Sequence, residues 1–244
     1  MKSKGQLQYF QELERCLEKL RSQESLFNKI AEKIFESVKV NGVWHVFGSG
    51  HSVMSAEELF HRAGGLACVN PIFEEALMPH MGPKRVGPLE RTPGIGKIIF
   101  AANDFQKGEP LLLVSNSGIN PSTVELAQEA GQAGLYTFAI MSLTHSKAAP
   151  SRSGKKLYEV VEDVIDTGTP AGDACVALSG SDLKVAPLSS VISLAACELL
   201  VVRVVELFLE KGLEAPVYKS ANMPGGDERN KSLEAKYRPR IRRL

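Results

Sequence analysis

Two short turns carry the residues best suited to hold a small anion. Gly48-Ser49-Gly50-His51-Ser52 follows the β-rich run Val43-Trp44-His45-Val46-Phe47, and Ser115-Asn116-Ser117-Gly118 follows the apolar run Pro110-Leu111-Leu112-Leu113-Val114. Glycine lets the main chain approach a ligand closely. Serine hydroxyls donate hydrogen bonds without adding charge. Each turn leads into a helical pattern, whose first amides and macrodipole favour an anion. In the second, Asn120 and Pro121 suit the N-cap and the first helical position, and Ser122 and Thr123 add two hydroxyls. Gly48, Ser49, Gly50, His51, Ser52, Ser115, Asn116, Ser117, Gly118, Asn120, Ser122 and Thr123 are therefore expected to form a neutral cradle for one phosphate. Serine and glycine also make good turns with no ligand. The recurrence on two successive units is what points to a ligand.

Acid and base groups lie near the first turn. Glu58 and His61 are three apart on the helix expected over residues 53–63, so they would share a face. A carboxylate and an imidazole can take a proton from the carbon next to a carbonyl and move protons between neighbouring oxygens. The alternative for both is a solvated side chain, with His61 close to the helix-ending Gly64-Gly65. His51 is either a substrate contact inside the turn or an exposed loop residue. Glu74, Glu75 and His80 are either a lid over a ligand or ordinary loop polarity. No metal is expected, because the scattered His and Glu lack ligand spacing. No cofactor is expected either. The third glycine of a dinucleotide fingerprint would fall on Val53, and its acidic residue, about 20 positions on, would fall on Asn70. The nucleotide P-loop spacing is also absent.

The elements that must position these turns can be read from periodicity. Residues 7–38 read as a long helix, with Leu7, Phe10, Leu13, Leu17 and Leu20 and then Phe27, Ile30, Ile34 and Val38 at spacings of three and four. Ser22-Gln23-Glu24-Ser25 offers a break, and Asn41-Gly42 a stop. Strands are expected at residues 43–47, 66–69, 110–114, 135–141, 160–165 and 174–178. Helices are expected at 53–63 and from 121 to Gly134, and a short one at 95–105. Residues 71–96, with five prolines, read as a long irregular excursion. A long helix, apolar nearly all round, covers residues 187–211. The order is strand, Ser/Gly turn, helix, strand, twice over. It implies a mostly parallel sheet covered on both faces, with ligands beyond the carboxyl ends of the strands.

Composition narrows the class. With 244 residues and 43% hydrophobic, the chain can bury a large core, and its 23% charged content is too low for a disordered chain. No uncharged apolar run reaches membrane-spanning length: the stretch from Val191 to Leu209 is interrupted by Glu198, Arg203 and Glu206. The N-terminus lacks a signal-peptide pattern, so a cytoplasmic location is expected. Cys16, Cys68, Cys175 and Cys197 show no paired spacing and are read as reduced core residues. From Glu228 to Leu244 seven Lys/Arg face two Glu, leaving a mildly acidic body with a basic tail. That distribution does not suit a nucleic-acid-binding domain. The tail, with Tyr237, Arg238 and Arg240, and the preceding Asn222-Met223-Pro224-Gly225-Gly226-Asp227-Glu228-Arg229-Asn230 either reach a neighbouring subunit's site or form a loose terminus.

Val46-Phe47-Gly48-Ser49-Gly50-His51-Ser52 and Leu113-Val114-Ser115-Asn116-Ser117-Gly118 resemble the two signature turns of SIS (sugar isomerase) domains in order, separation and flanking strands. The long N-terminal helix and the apolar C-terminal helix resemble the phosphoheptose isomerase branch. The resemblance covers roughly residues 7–211 and places a SIS domain at 1–212, with a C-terminal extension and basic tail at 213–244. It implies a three-layer α/β sandwich of flavodoxin-like type with a five-stranded, mostly parallel sheet. It also implies phosphosugar binding in a homodimer or homotetramer. Glu58 matches the family's catalytic Glu once a gap is allowed. The family's Thr or Ser after Ser-x-Ser-Gly is Asn120 here, and no His follows His145 to supply the family's catalytic His. The resemblance therefore implies an aldose–ketose sugar-phosphate isomerase with Glu58 as base and His61 or His51 as partner. Its alternatives are a non-catalytic phosphosugar sensor and an amino-sugar-phosphate lyase or deaminase. A DNA-binding regulator is disfavoured, because the residues before the first strand form one long helix instead of a helix-turn-helix domain.

Overall fold

The computed structural model describes residues 3–244. The chain opens with α1 (Lys4–Arg21) and α2 (Glu24–Val38), separated at the expected break. The Gln23 side chain fixes that break: its amide donates to Lys19 O and Asp166 O, and its oxygen accepts from Asp166 N. Then come β1 (Trp44–Gly48), α3 (Met54–Leu59), β2 (Val69–Pro71), α4 (Pro83–Glu90), α5 (Ile95–Ala101) and β3 (Pro110–Val114). After them follow α6 (Pro121–Gln132), β4 (Tyr136–Met141), α7 (Leu143–Ala148), β5 (Asp163–Asp166), the hairpin β6 (Ala174–Ala177) with β7 (Lys184–Pro187), α8 (Ser189–Glu210) and α9 (Gly226–Tyr237).

The main sheet has five parallel strands in the order β2-β1-β3-β4-β5. Its central strands are apolar on both sides, as a sheet covered by helices on both faces requires. Leu112 and Val114 of β3 and Phe138 and Ile140 of β4 pack into one cluster with α2 and α8. Their neighbours Leu111, Leu113, Ala139 and Met141 face the other way, against Val124, Leu126 and Ala127 of α6 and Ile99 of α5. The two-residue alternation of a strand thus divides one run between two cores. The helix α8 runs through the first core with Ile192, Ala196, Cys197, Leu200, Val204 and Phe208 buried. All four cysteines are free and buried.

Several elements differ from the sequence expectation. The helix expected over 53–63 ends at Leu59, because Phe60 is extended and His61 adopts a left-handed φ of 46°. The strand expected at 66–69 lies at Val69–Pro71, and Leu66 makes only a lone bridge to Val217. The excursion over 71–96 is not irregular: it holds two 3₁₀ turns and α4, and α5 begins within it. What fixes α5 is distant in sequence, the Glu125 carboxylate accepting from Gly94 N at 2.8 Å and Gly96 N at 3.2 Å. The strand expected at 174–178 joins an antiparallel hairpin outside the main sheet. Beyond Gly225 the chain is not a loose terminus, one of the two alternatives, but the helix α9, and Tyr237 and Ile241 are buried in the first core.

Candidate functional site

In a 2-1-3-4-5 sheet the order reverses between β1 and β3, and that gap beyond the carboxyl ends is where ligands sit. Gly48 pairs in register with Val114. Ser49 and Ser115, the next residues of each strand, therefore leave the sheet side by side, and the two Ser/Gly turns flank the reversal.

The first turn is a single 3₁₀ turn, Gly50–Val53, leading into the six-residue α3. Gly50 has φ 57°, and a Cβ at Gly48 would fall on the Ser52 carbonyl. Both glycines are thus required by this tight return. Ser49, Gly50 and Ser52 are part-exposed and His51 is exposed. The Ser49 hydroxyl donates to Oε2 of Glu90 at 3.2 Å. So short a helix carries little macrodipole, and a carboxylate already occupies the serine. A carboxylate thus stands beside the first turn, where the sequence alone points to neutral groups.

The second turn is different. Ser115 Oγ accepts from Gly118 N at 3.1 Å. Asn116 is held on three sides: its carbonyl accepts from Ser142 N, its Oδ1 accepts from Thr169 Oγ1 at 2.8 Å, and its Nδ2 lies 3.3 Å from Nδ1 of His145. Gly118 has φ 59°, and a Cβ there would come within 2.5 Å of the Met141 methyl. Asn120 is the N-cap of the twelve-residue α6, yet its side chain makes no capping bond. Its Oδ1 accepts instead from Arg152 Nη1 at 2.6 Å. Ser122 and Thr123, in the first turn of α6, are fully buried, and their hydroxyls find no partner among the described residues. Asn116 and Ser117 are part-exposed.

The structure separates the expected acid–base pair. Glu58, on α3, pairs with Arg62. His61 lies past the end of that helix, and its Nε2 is 3.0 Å from Glu234 of α9. The two side chains do not share a helical face.

A sequence profile of the SIS domain matches residues 8–142, which is α1 through β4 and includes both turns. The chain belongs to the SIS domain family. Among curated relatives, a UPF0309 protein of Caldanaerobacter subterraneus is 40% identical, over 97% of this chain and 98% of its own length. A UPF0309 protein of Geobacillus kaustophilus is 39% identical, over 96% of this chain and 94% of its own length. Among solved structures, a phosphoheptose isomerase of Neisseria gonorrhoeae superposes with a TM-score of 0.51 at 14% identity, covering 80% of this chain and 92% of its own. One from Francisella tularensis gives 0.51 at 13%, covering 81% and 95%. These two show that the SIS sandwich is shared.

Two charged groups of this SIS domain escaped the sequence reading. Glu90 ends α4, in a stretch read as irregular, and reaches Ser49 across 41 residues. Arg152 lies in the segment after α7, 32 residues from Asn120, and no local pattern singles out either. The best buried titratable cluster lies elsewhere, near the amino ends of the strands. There His45 Nε2 meets Glu109 Oε2 at 2.9 Å, Asn70 lies on the other ring nitrogen, and Arg240 Nη2 donates to Glu109 at 3.0 Å. The described residues hold no group of three metal-ligating side chains and no helix long and apolar enough to cross a membrane.

Proposed function

We propose that this SIS protein binds a sugar phosphate across the two turns and interconverts its aldose and ketose forms. The register of Gly48 with Val114 carries the reading, since it sets both turns side by side at the reversal of strand order. Ser115, Asn116, Ser117, Gly118 and the start of α6 with Asn120, Ser122 and Thr123 hold the phosphate. Gly48, Ser49, Gly50, His51 and Ser52 contact the sugar. Glu58 takes the proton next to the carbonyl, and His51, or His61 once released from Glu234, moves protons between the neighbouring oxygens. A second copy of the chain covers the apolar residues left exposed on α1 (Leu7, Phe10, Leu17) and α8 (Leu199, Val202, Leu209), giving a homodimer or homotetramer. Four buried free thiols accord with a cytoplasmic setting.

The test is a thermal-shift screen of sugar phosphates and their dephosphorylated counterparts, followed by turnover of those that bind. A ligand that binds the native state raises Tm. Stabilisation that needs the phosphate supports the binding reading, and no shift with any phosphate ester refutes it. Isomerisation lost in Glu58→Gln supports the catalytic part; full activity in that variant removes Glu58 from it. The engagement of His61 with Glu234 favours one second reading, a non-catalytic phosphosugar sensor. Phosphate-dependent binding with no turnover would select it.

A further inference from the structure

We infer that Arg152 is the cation that anchors the phosphate, and that Glu90 fixes the ligand's orientation by keeping the phosphate off the first turn. The inference rests on the phosphosugar reading above and divides the cleft into a cationic and an acidic half.

Three observations converge on the start of α6. The N-cap residue Asn120 does not cap, because its carboxamide oxygen is spent on Arg152. The first turn of α6 carries the hydroxyls of Ser122 and Thr123, both fully buried and both without a partner among the described residues. Buried polar groups are normally paired, so two orphans in one helical turn mark a place where acceptors are missing. A guanidinium is already stationed there. Arg152 N donates to Ile119 O at 3.2 Å and Leu157 N to Gly118 O at 2.8 Å, so the segment between is stitched over the Ser-x-Ser-Gly turn. Among the described residues, Asn120 is the one hydrogen-bond partner of the Arg152 side chain, leaving most of its five donors free. Helix amides, hydroxyls and a guanidinium fork together are the donor set a phosphate dianion takes.

The first turn presents the opposite sign. Its short helix offers little dipole, and the Glu90 carboxylate sits at hydrogen-bond distance from Ser49. A phosphate on Ser49 would lie against a like charge. A sugar hydroxyl there would find an acceptor in Glu90 and a donor in Ser49. The ligand accordingly lies with its phosphate on α6 and its hydroxyl-bearing carbons toward Ser49 and Glu90, on the side where α3 carries Glu58.

Calorimetric titration of the full-length protein with inorganic phosphate and with fructose 6-phosphate tests this. Arg152→Ala is expected to weaken both by about tenfold or more, the effect of losing a charge-assisted contact, and Arg152→Lys to recover part of it. The Arg152 side chain is exposed, and circular dichroism confirms that the variants are folded. If the wild-type protein binds and Arg152→Ala binds equally well, this inference fails and the phosphosugar reading stands. If the phosphate sat on the first turn, Glu90→Gln would tighten inorganic phosphate about tenfold while Arg152→Ala did nothing, and that pair of results overturns the orientation. If the wild-type protein binds neither probe nor any other phosphate ester, both readings fall.

Discussion

Glu109 makes a predictable contribution to the protein's acid stability. Burial alone would push its carboxyl up. Hydrogen bonds from His45, Arg240 and Val43 N outweigh that and hold it down at about 2, against 4.5 for a free carboxylate. A carboxyl whose folded pKa is depressed contributes stability that is complete above the unfolded value and disappears as pH falls through the folded one. At about 1.36 kcal/mol per pKa unit, the group is worth about 3 kcal/mol at pH 5, about 1.4 at pH 3 and under about 0.5 at pH 2. Glu109→Gln removes that titration while keeping the shape. Urea unfolding of both proteins at pH 5, 4, 3 and 2 isolates it, because every other carboxylate titrates in both. The difference in unfolding free energy between wild type and variant should shrink by about 2–3 kcal/mol between pH 5 and pH 2. Parallel curves would mean that Glu109 is not held ionised by this network.

Gly118→Ala forces a side chain into left-handed backbone and against the Met141 methyl and Leu157 Cβ. It should cost about 2–4 kcal/mol by urea unfolding and weaken phosphate binding in parallel; a loss under about 1 kcal/mol would show that the turn relaxes freely. Ile241→Ala, three residues from the C-terminus and fully buried, should cost about 2–4 kcal/mol. A cost under about 0.5 kcal/mol would mean that the tail is not docked in the core. Burial pushes the Cys68 and Cys197 thiols up to about 12. Neither should react with an aromatic disulfide reagent at pH 8 in the native protein, and both should react in urea; rapid labelling of either without denaturant contradicts their burial.

What the sequence made legible was local. The run at 110–114 is a continuous apolar strand and that at 135–141 is interrupted only by Thr137, and residues inside both pack against both faces of the sheet. The start of α6 at Pro121 is signalled by adjacent residues, and the break at Ser22-Gln23 is signalled locally but held by Gln23 hydrogen bonds to Asp166, 143 residues away. Periodicity failed where distant groups set the conformation. Leu59 ends α3 although Phe60 and Ala63 continue its pattern. Phe60 is already extended, and His61, two residues past Leu59, has a left-handed backbone and meets Glu234, 173 residues away. The prolines of residues 71–96 suggested a structureless loop. Yet Pro83 suits a first helical position, and α5 is held by a carboxylate from α6.

The same distinction explains the candidate site. Its hydroxyls and glycines were visible because each turn concentrates them within five to nine consecutive residues. Its charges were not, because a lone Glu at the end of a short helix and a lone Arg in a connecting segment have no pattern of their own. A cradle read from the turns alone is neutral and symmetric, and it gives a phosphosugar no preferred direction. The hydrogen bonds Ser49–Glu90 and Asn120–Arg152 remove that symmetry. The isomerase proposed above would use such a difference, because its base would have to meet one carbon of the substrate while a dianion stayed at the other end. The sheet supplies the two turns, and the long connections after β2 and α7 supply the charges beside them.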